Sequence, residues 1–99
     1  MGIYAQTHFQ IDCENVKTTK KVLAKLKSIE PDKNGNTFGK DLELLGNSVL
    51  GFESSSRIQN LEYKCKKIWK VVKDIKGVLR MSAPFLSEAD EMYFEVETK

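Results

Sequence analysis

Ninety-nine residues, 40% hydrophobic and 30% charged, predict one globular domain; the chain is too apolar to stay disordered and long enough to bury a core without staples. Two cysteines, Cys13 and Cys65, are too few for a secreted disulfide framework and predict reduced thiols, while a net charge of +2 marks the chain as a whole as neither strongly basic nor strongly acidic. Met1 to His8 has no basic or apolar signal region, and no apolar run reaches the roughly 18 residues of a membrane span, so a cytoplasmic protein with no membrane contact is expected.

Ile3 to Asp12 alternates. Ile3, Ala5, Thr7, Phe9 and Ile11 fall on one side, and Tyr4, Gln6, His8, Gln10 and Asp12 on the other; this period of two predicts a half-buried strand. Asn15 can cap a helix. Val16, Thr19, Val22, Leu23, Leu26 and Ile29 then recur at three- and four-residue steps, predicting a helix over 16–29 that Pro31 and Asp32-Lys33-Asn34-Gly35-Asn36 terminate. Thr37 to Glu53 reads as a hairpin, with positive φ expected through Gly46-Asn47 and bulges expected at Gly39 and Gly51. Ser56-Arg57-Ile58-Gln59 matches a capping box. The helix after it carries Ile58, Leu61, Cys65, Ile68, Val72 and Ile75 on one stripe, widened by Trp69, with Gly77 suited to end it. Val78 to Met81 could form a short strand before Pro84, and Met92 to Thr98 alternates as the final strand. The order β-α-β-β-α-β predicts an α+β domain over 1–99, ferredoxin-like, with a four-stranded antiparallel sheet and two helices on one face.

Catalytic and metal constellations are sparse. One His and two separated Cys cannot make a structural zinc site, and Glu88, Asp90 and Glu91 lack the alternation and turn glycine of a calcium loop. His8 and Cys13 fall on opposite faces by parity, with no third group to orient the imidazole. The loop after the first strand, Asp12-Cys13-Glu14-Asn15, is acidic and would repel phosphate, which argues against an acylphosphatase despite the shared strand order. RNA-recognition domains share the order too. Ile3-Tyr4-Ala5 resembles their first-strand signature slightly, and Leu50-Gly51-Phe52-Glu53-Ser54 partly echoes the third, without the leading base and with Ser54 where a second ring should stack. No enzyme, metal or cofactor is expected.

Charge is strongly segregated. Residues 16–29 hold Lys17, Lys20, Lys21, Lys25 and Lys27 and no acid, and residues 57–76 hold Arg57 and six lysines against Glu62 and Asp74. The helices therefore carry +10 and the rest of the chain −8. Two binding surfaces follow. The outward set of the first and last strands, Tyr4, Gln6, His8, Gln10, Asp12, Tyr93, Glu95 and Glu97, would be acidic with tyrosine handles, suited to a protein partner with a basic surface, such as a nucleoprotein. Asp41, Glu43 and Glu53 would join it in a suitable register. The alternative surface is nucleic-acid-binding: Lys17, Lys20, Lys21, Lys66, Lys70 and Lys73 would hold phosphates without sequence preference. A homodimer closing sheet on sheet over Tyr4 and Tyr93 is a third arrangement, besides a monomer.

In size, element order and charge layout the chain resembles small Lys- and Asn-rich single-domain proteins of phages and mobile elements, some anti-CRISPR inhibitors among them. The features that carry this are the opening strand Tyr4-Ala5-Gln6-Thr7-His8-Phe9, the hairpin through Leu45-Gly46-Asn47-Ser48, and the helix Ile58 to Lys76. The resemblance implies a non-catalytic inhibitor or adaptor that docks on a host nucleoprotein.

Overall fold

The computed structural model describes residues 5–55, 57–84 and 91–95, with backbone alone at 5, 40, 58, 84 and 91–95. The elements are β1 (Ala5–Cys13), α1 (Val16–Lys27), β2 (Lys40–Leu45), β3 (Ser48–Ser55), α2 (Ile58–Val72), β4 (Val78–Pro84) and β5 (Glu91–Glu95). The strands form one sheet in the order β2-β3-β1-β4-β5, with every neighbouring pair antiparallel.

Alternation in β1 is realised as predicted. Thr7, Phe9, Ile11 and Cys13 are buried, while His8 and Gln10 are exposed and Gln6 and Asp12 half-exposed. The strand sits at the centre because both its neighbours, β3 and β4, bring apolar residues to the same face: Ile11 pairs with Val49 on one side and Met81 on the other, and all three are fully buried. Both helices pack on that face and touch each other. Val22 and Leu26 of α1 and Leu61, Cys65, Ile68 and Val72 of α2 close the core. The four-three-four spacing of the α2 set keeps these side chains on one stripe. Asn15 caps α1, its Oδ1 accepting from the Thr18 N–H at 2.9 Å and the Thr18 hydroxyl at 3.0 Å.

The expected four-stranded antiparallel sheet with two helices is present as β2-β3-β1-β4 with α1 and α2. The strand expected last is a fifth, β5, added along β4. Val78–Pro84 is a full strand whose alternation is interrupted by a bulge opposite Asp12 and Cys13. The extra residue, Leu79, is exposed between buried Val78 and Met81, so the period of two is broken where a sequence reading depends on it.

Other local expectations are corrected. The N-cap of α2 is Arg57, in extended conformation and with no side-chain cap bond; Ser56, on which the expected capping box rests, lies outside the described residues. The helix ends at Val72, before the predicted 76, and Gly77 (φ 101°) turns the chain into β4. In the hairpin turn Gly46 alone has positive φ, at 60°. Gly51 marks a bulge from the other side: Asp41 and Leu42 of β2 stand opposite this one residue of β3. The ring of Phe9 lies over it, and a Cβ there would come within 2.2 Å of Phe9 Cζ. The bulge expected near Gly39 does form, between Lys40 and Glu43, and it holds Asp41 at φ 51°. Val16, placed on the buried stripe by periodicity, is exposed.

Candidate binding surfaces

The face of the sheet opposite the helices carries the even residues of β1 and β3. His8 stands directly across from Phe52, and their rings meet edge to face, 5.5 Å between centroids at 64°. Leu50 and Phe52 are half-exposed. With His8 they floor a concavity of about 320 Å³ whose lining also includes Asp41 and Glu43 of β2. Both acids are exposed. The β2 bulge aims Asp41 here: its left-handed backbone is uncommon for a residue with a Cβ.

Asp12 is on the same face but is spent internally. Its carboxylate accepts from Gln10 Nε2 at 2.8 Å, from the Ser48 hydroxyl at 2.7 Å and from Arg80 Nε at 2.9 Å. Partial burial pushes its pKa up, but the hydrogen bonds from Gln10 and Ser48 and the Arg80 guanidinium outweigh this and hold it below the ordinary carboxylate value.

Of the residues expected on this face, Gln6, His8, Gln10 and Asp12 are there together. Tyr93 and Glu95 pair in backbone register with Ser82 and Arg80, while their side chains, with Tyr4 and Glu97, lie outside the described residues. Glu53 is not on this face. It is 2% exposed, beneath α2, where its carboxylate accepts the Gly39 N–H and lies 3.7 Å from the Lys64 ammonium. Lys64 also donates to the Ser54 carbonyl at 2.8 Å. The strand's parity was the available signal: Val49, Gly51 and Glu53 must share a face. The RNA-recognition echo divides accordingly, with Leu50, Phe52 and Ser54 facing away from the helices and Glu53 toward them.

On the helix side, Lys17, Lys20, Lys21, Lys66, Lys70 and Lys73 are all exposed. The ion pairs among the described residues, Lys64–Glu53 and Arg80–Asp12, involve none of them. Lys66 and Lys70 line a groove of about 440 Å³ on α2 together with Gln59, Glu62, Tyr63 and Lys67. Tyr63 donates its hydroxyl to Asp32 at 3.0 Å and meets Phe38 edge to face, centroids 6.1 Å apart. Asp32 also accepts the N–H groups of Asn34 and Asn36, each at 2.9 Å, and the Asn36 amide at 3.0 Å. The Asn36 hydrogen bond, foremost among these, outweighs desolvation and holds the Asp32 carboxyl down at about 2. Tyr63, Lys67 and Gln59 are not among the binding residues expected from the sequence. The steps 59, 63, 66, 70 are a helical stripe on their own, visible once the polar face of α2 is read for period as closely as the apolar one.

Reactive side chains are kept apart. His8 is exposed on the open face and Cys13 is buried beneath the helices. Both cysteines are free thiols. Burial, with a nearby carboxylate, pushes Cys13 up to about 11 and Cys65 up to about 12, so neither is a thiolate at neutral pH. Among the described residues no three of His, Cys, Asp and Glu converge as metal ligands; Glu88 and Asp90 lie outside those residues. No described helix is long and apolar enough to cross a membrane. No family model matches the chain, and no curated protein or solved structure matches it significantly.

Proposed function

We propose that the chain is a non-enzymatic, ferredoxin-like binding module, an inhibitor or adaptor that docks the uncovered face of its sheet on a protein partner with a basic surface. A ferredoxin-like reading is supported by the order β2-β3-β1-β4, with the helices following β1 and β3; β5 is then an addition at the edge. The observation that carries the function is the concavity on the open face, an aromatic and aliphatic floor of His8, Phe52 and Leu50 beside the carboxylates of Asp41 and Glu43, which have no ion-pair partner among the described residues. An apolar floor with charges at its edge is the anatomy of a docking site, since the floor supplies burial and the charges select the partner. The resemblance to small inhibitors of mobile elements extends the proposal to a nucleoprotein as the partner. Two buried, unbridged cysteines suit a reducing compartment, and we assign the protein to the cytoplasm.

The test is affinity capture from the host cell with the wild-type chain and with Asp41→Asn plus Glu43→Lys, in the presence of nuclease; Asn keeps the left-handed backbone at position 41. Both positions are exposed, so the thermal midpoint should hold while a specific partner is lost. On the purified pair, association should slow as salt rises. A captured set indifferent to the double substitution refutes this face as the docking surface. A mass in solution that doubles with concentration, and that the same substitutions return to one chain, makes the occupant a second copy instead.

A further inference from the structure

We infer that the α2 groove is a second binding site, on the opposite side of the molecule, that takes single-stranded nucleic acid. The phosphates would lie along Lys66, Lys67 and Lys70, and a base would stack on Tyr63. Lys66 and Lys70 are exposed and Lys67 half-exposed, and none has a carboxylate within ion-pair distance among the described residues. This is notable for Lys66, because Glu62 precedes it by one turn in the favourable orientation for an i,i+4 pair and lines the same groove. Three ammonium groups on one helical stripe, uncommitted to any described acid, present a row of positive charge to an incoming polyanion.

Tyr63 adds what charge alone does not. It is 43% exposed, yet its ring is fixed at two points, by the hydroxyl donated to Asp32 and by the edge-to-face contact with Phe38. A ring held in place while open to solvent loses little freedom when a flat ligand covers it. Unstacked bases are such ligands, and a basic groove with an aromatic platform is the recurrent way to hold a single strand without reading its sequence. A duplex keeps its bases stacked and would engage the lysines but not the ring, so the ring selects the occupant. Gln59, one turn before Tyr63 in the same groove, offers an amide to a base edge.

Fluorescence anisotropy with a labelled oligothymidylate, titrated over a range of salt, tests this. Three phosphate contacts on a single strand predict a slope of about −2 for log K against log salt. Lys66→Glu plus Lys70→Glu should weaken binding by about tenfold or more and flatten that slope. Tyr63→Leu should weaken binding about tenfold and leave the slope unchanged, whereas Tyr63→Phe, which keeps the ring, should bind like wild type. Lys33→Glu, the same change of charge as Lys70→Glu alone but at an exposed position off the groove, should have little effect. No anisotropy change at low salt overturns the inference, as does a Lys33→Glu loss equal to that of Lys70→Glu alone. Duplex DNA or heparin binding as tightly as the oligomer, with Tyr63→Leu silent, overturns it in favour of a general polyanion surface. None of these outcomes depends on the open face.

Discussion

Gly51 is where a single atom matters most. The Phe9 ring crosses the β3 backbone so closely that a methyl group at position 51 would sit 2.2 Å from Cζ and 2.4 Å from Cε2. Phe9 is fully buried and cannot swing away. Gly51→Ala should therefore cost about 1–3 kcal/mol, read as a lower urea midpoint with an unchanged slope. Asp32 offers a test by pH. Its folded pKa of about 2 lies below its ordinary value of 3.8, so the ionised form is favoured by folding. That stabilisation is complete above 3.8 and is lost as pH falls through 2. Asp32→Asn should be less stable at neutral pH and should lose less between those limits than wild type, in acid titrations followed by circular dichroism. Glu53 shows where residue-level reading fell short. A charged side chain is ordinarily outside, so Glu53 joins the open face only in one register of the hairpin, and β3 takes the other. Position 53 faces inward whatever occupies it, and the chain meets the cost with Lys64 and the Gly39 N–H.

Helix α2 shows the opposite, an element legible almost entirely from its spacing. Leu61, Cys65, Ile68 and Val72 are each fully buried as their period requires, because a helix pinned between sheet and neighbour can bury only one stripe. Ile68→Ala should cost about 2–5 kcal/mol, while Lys70→Ala, fully on the solvent side, should barely shift the thermal midpoint. The ends of α2 were less legible, since capping depends on backbone geometry that composition does not determine. Arg57 occupies the N-cap with extended φ and ψ, makes no side-chain cap bond, and is followed by a first turn without an acid. Arg57→Asp should thus stabilise the protein by about 1 kcal/mol, by capping orphan N–H groups and opposing the helix dipole; an unchanged or lower midpoint would show that the guanidinium has a role elsewhere. Among the strands, β1 was readable because its neighbours leave the alternation intact. β4 was obscured by one inserted residue, Leu79, and with it the count of strands.

At the scale of the whole molecule the charge segregation survives folding, though less simply than the sequence suggested. The lysines are displayed on the helices, but Asp12 is neutralised by Arg80 and Glu53 is interred beside Lys64, which leaves Asp41 and Glu43 as the unpaired described acids of the open face. The topology has a further consequence, for the order in which the protein can fold. β1, the first strand to be synthesised, is the middle of the sheet, and its partners come from 48–55 and 78–84. Until those segments have left the ribosome, Phe9 and Ile11 have α1 over them but no strand beside them. Pairings of such long sequence separation close large loops before they are rewarded, which slows folding relative to helical proteins of equal size. A chain halted at residue 77 would possess both helices and three strands yet lack Met81 and Ala83 on the flank of β1. We expect it to show no cooperative melting transition and to bind a hydrophobic dye, because one edge of β1 stays unpaired until Val78–Pro84 has been made.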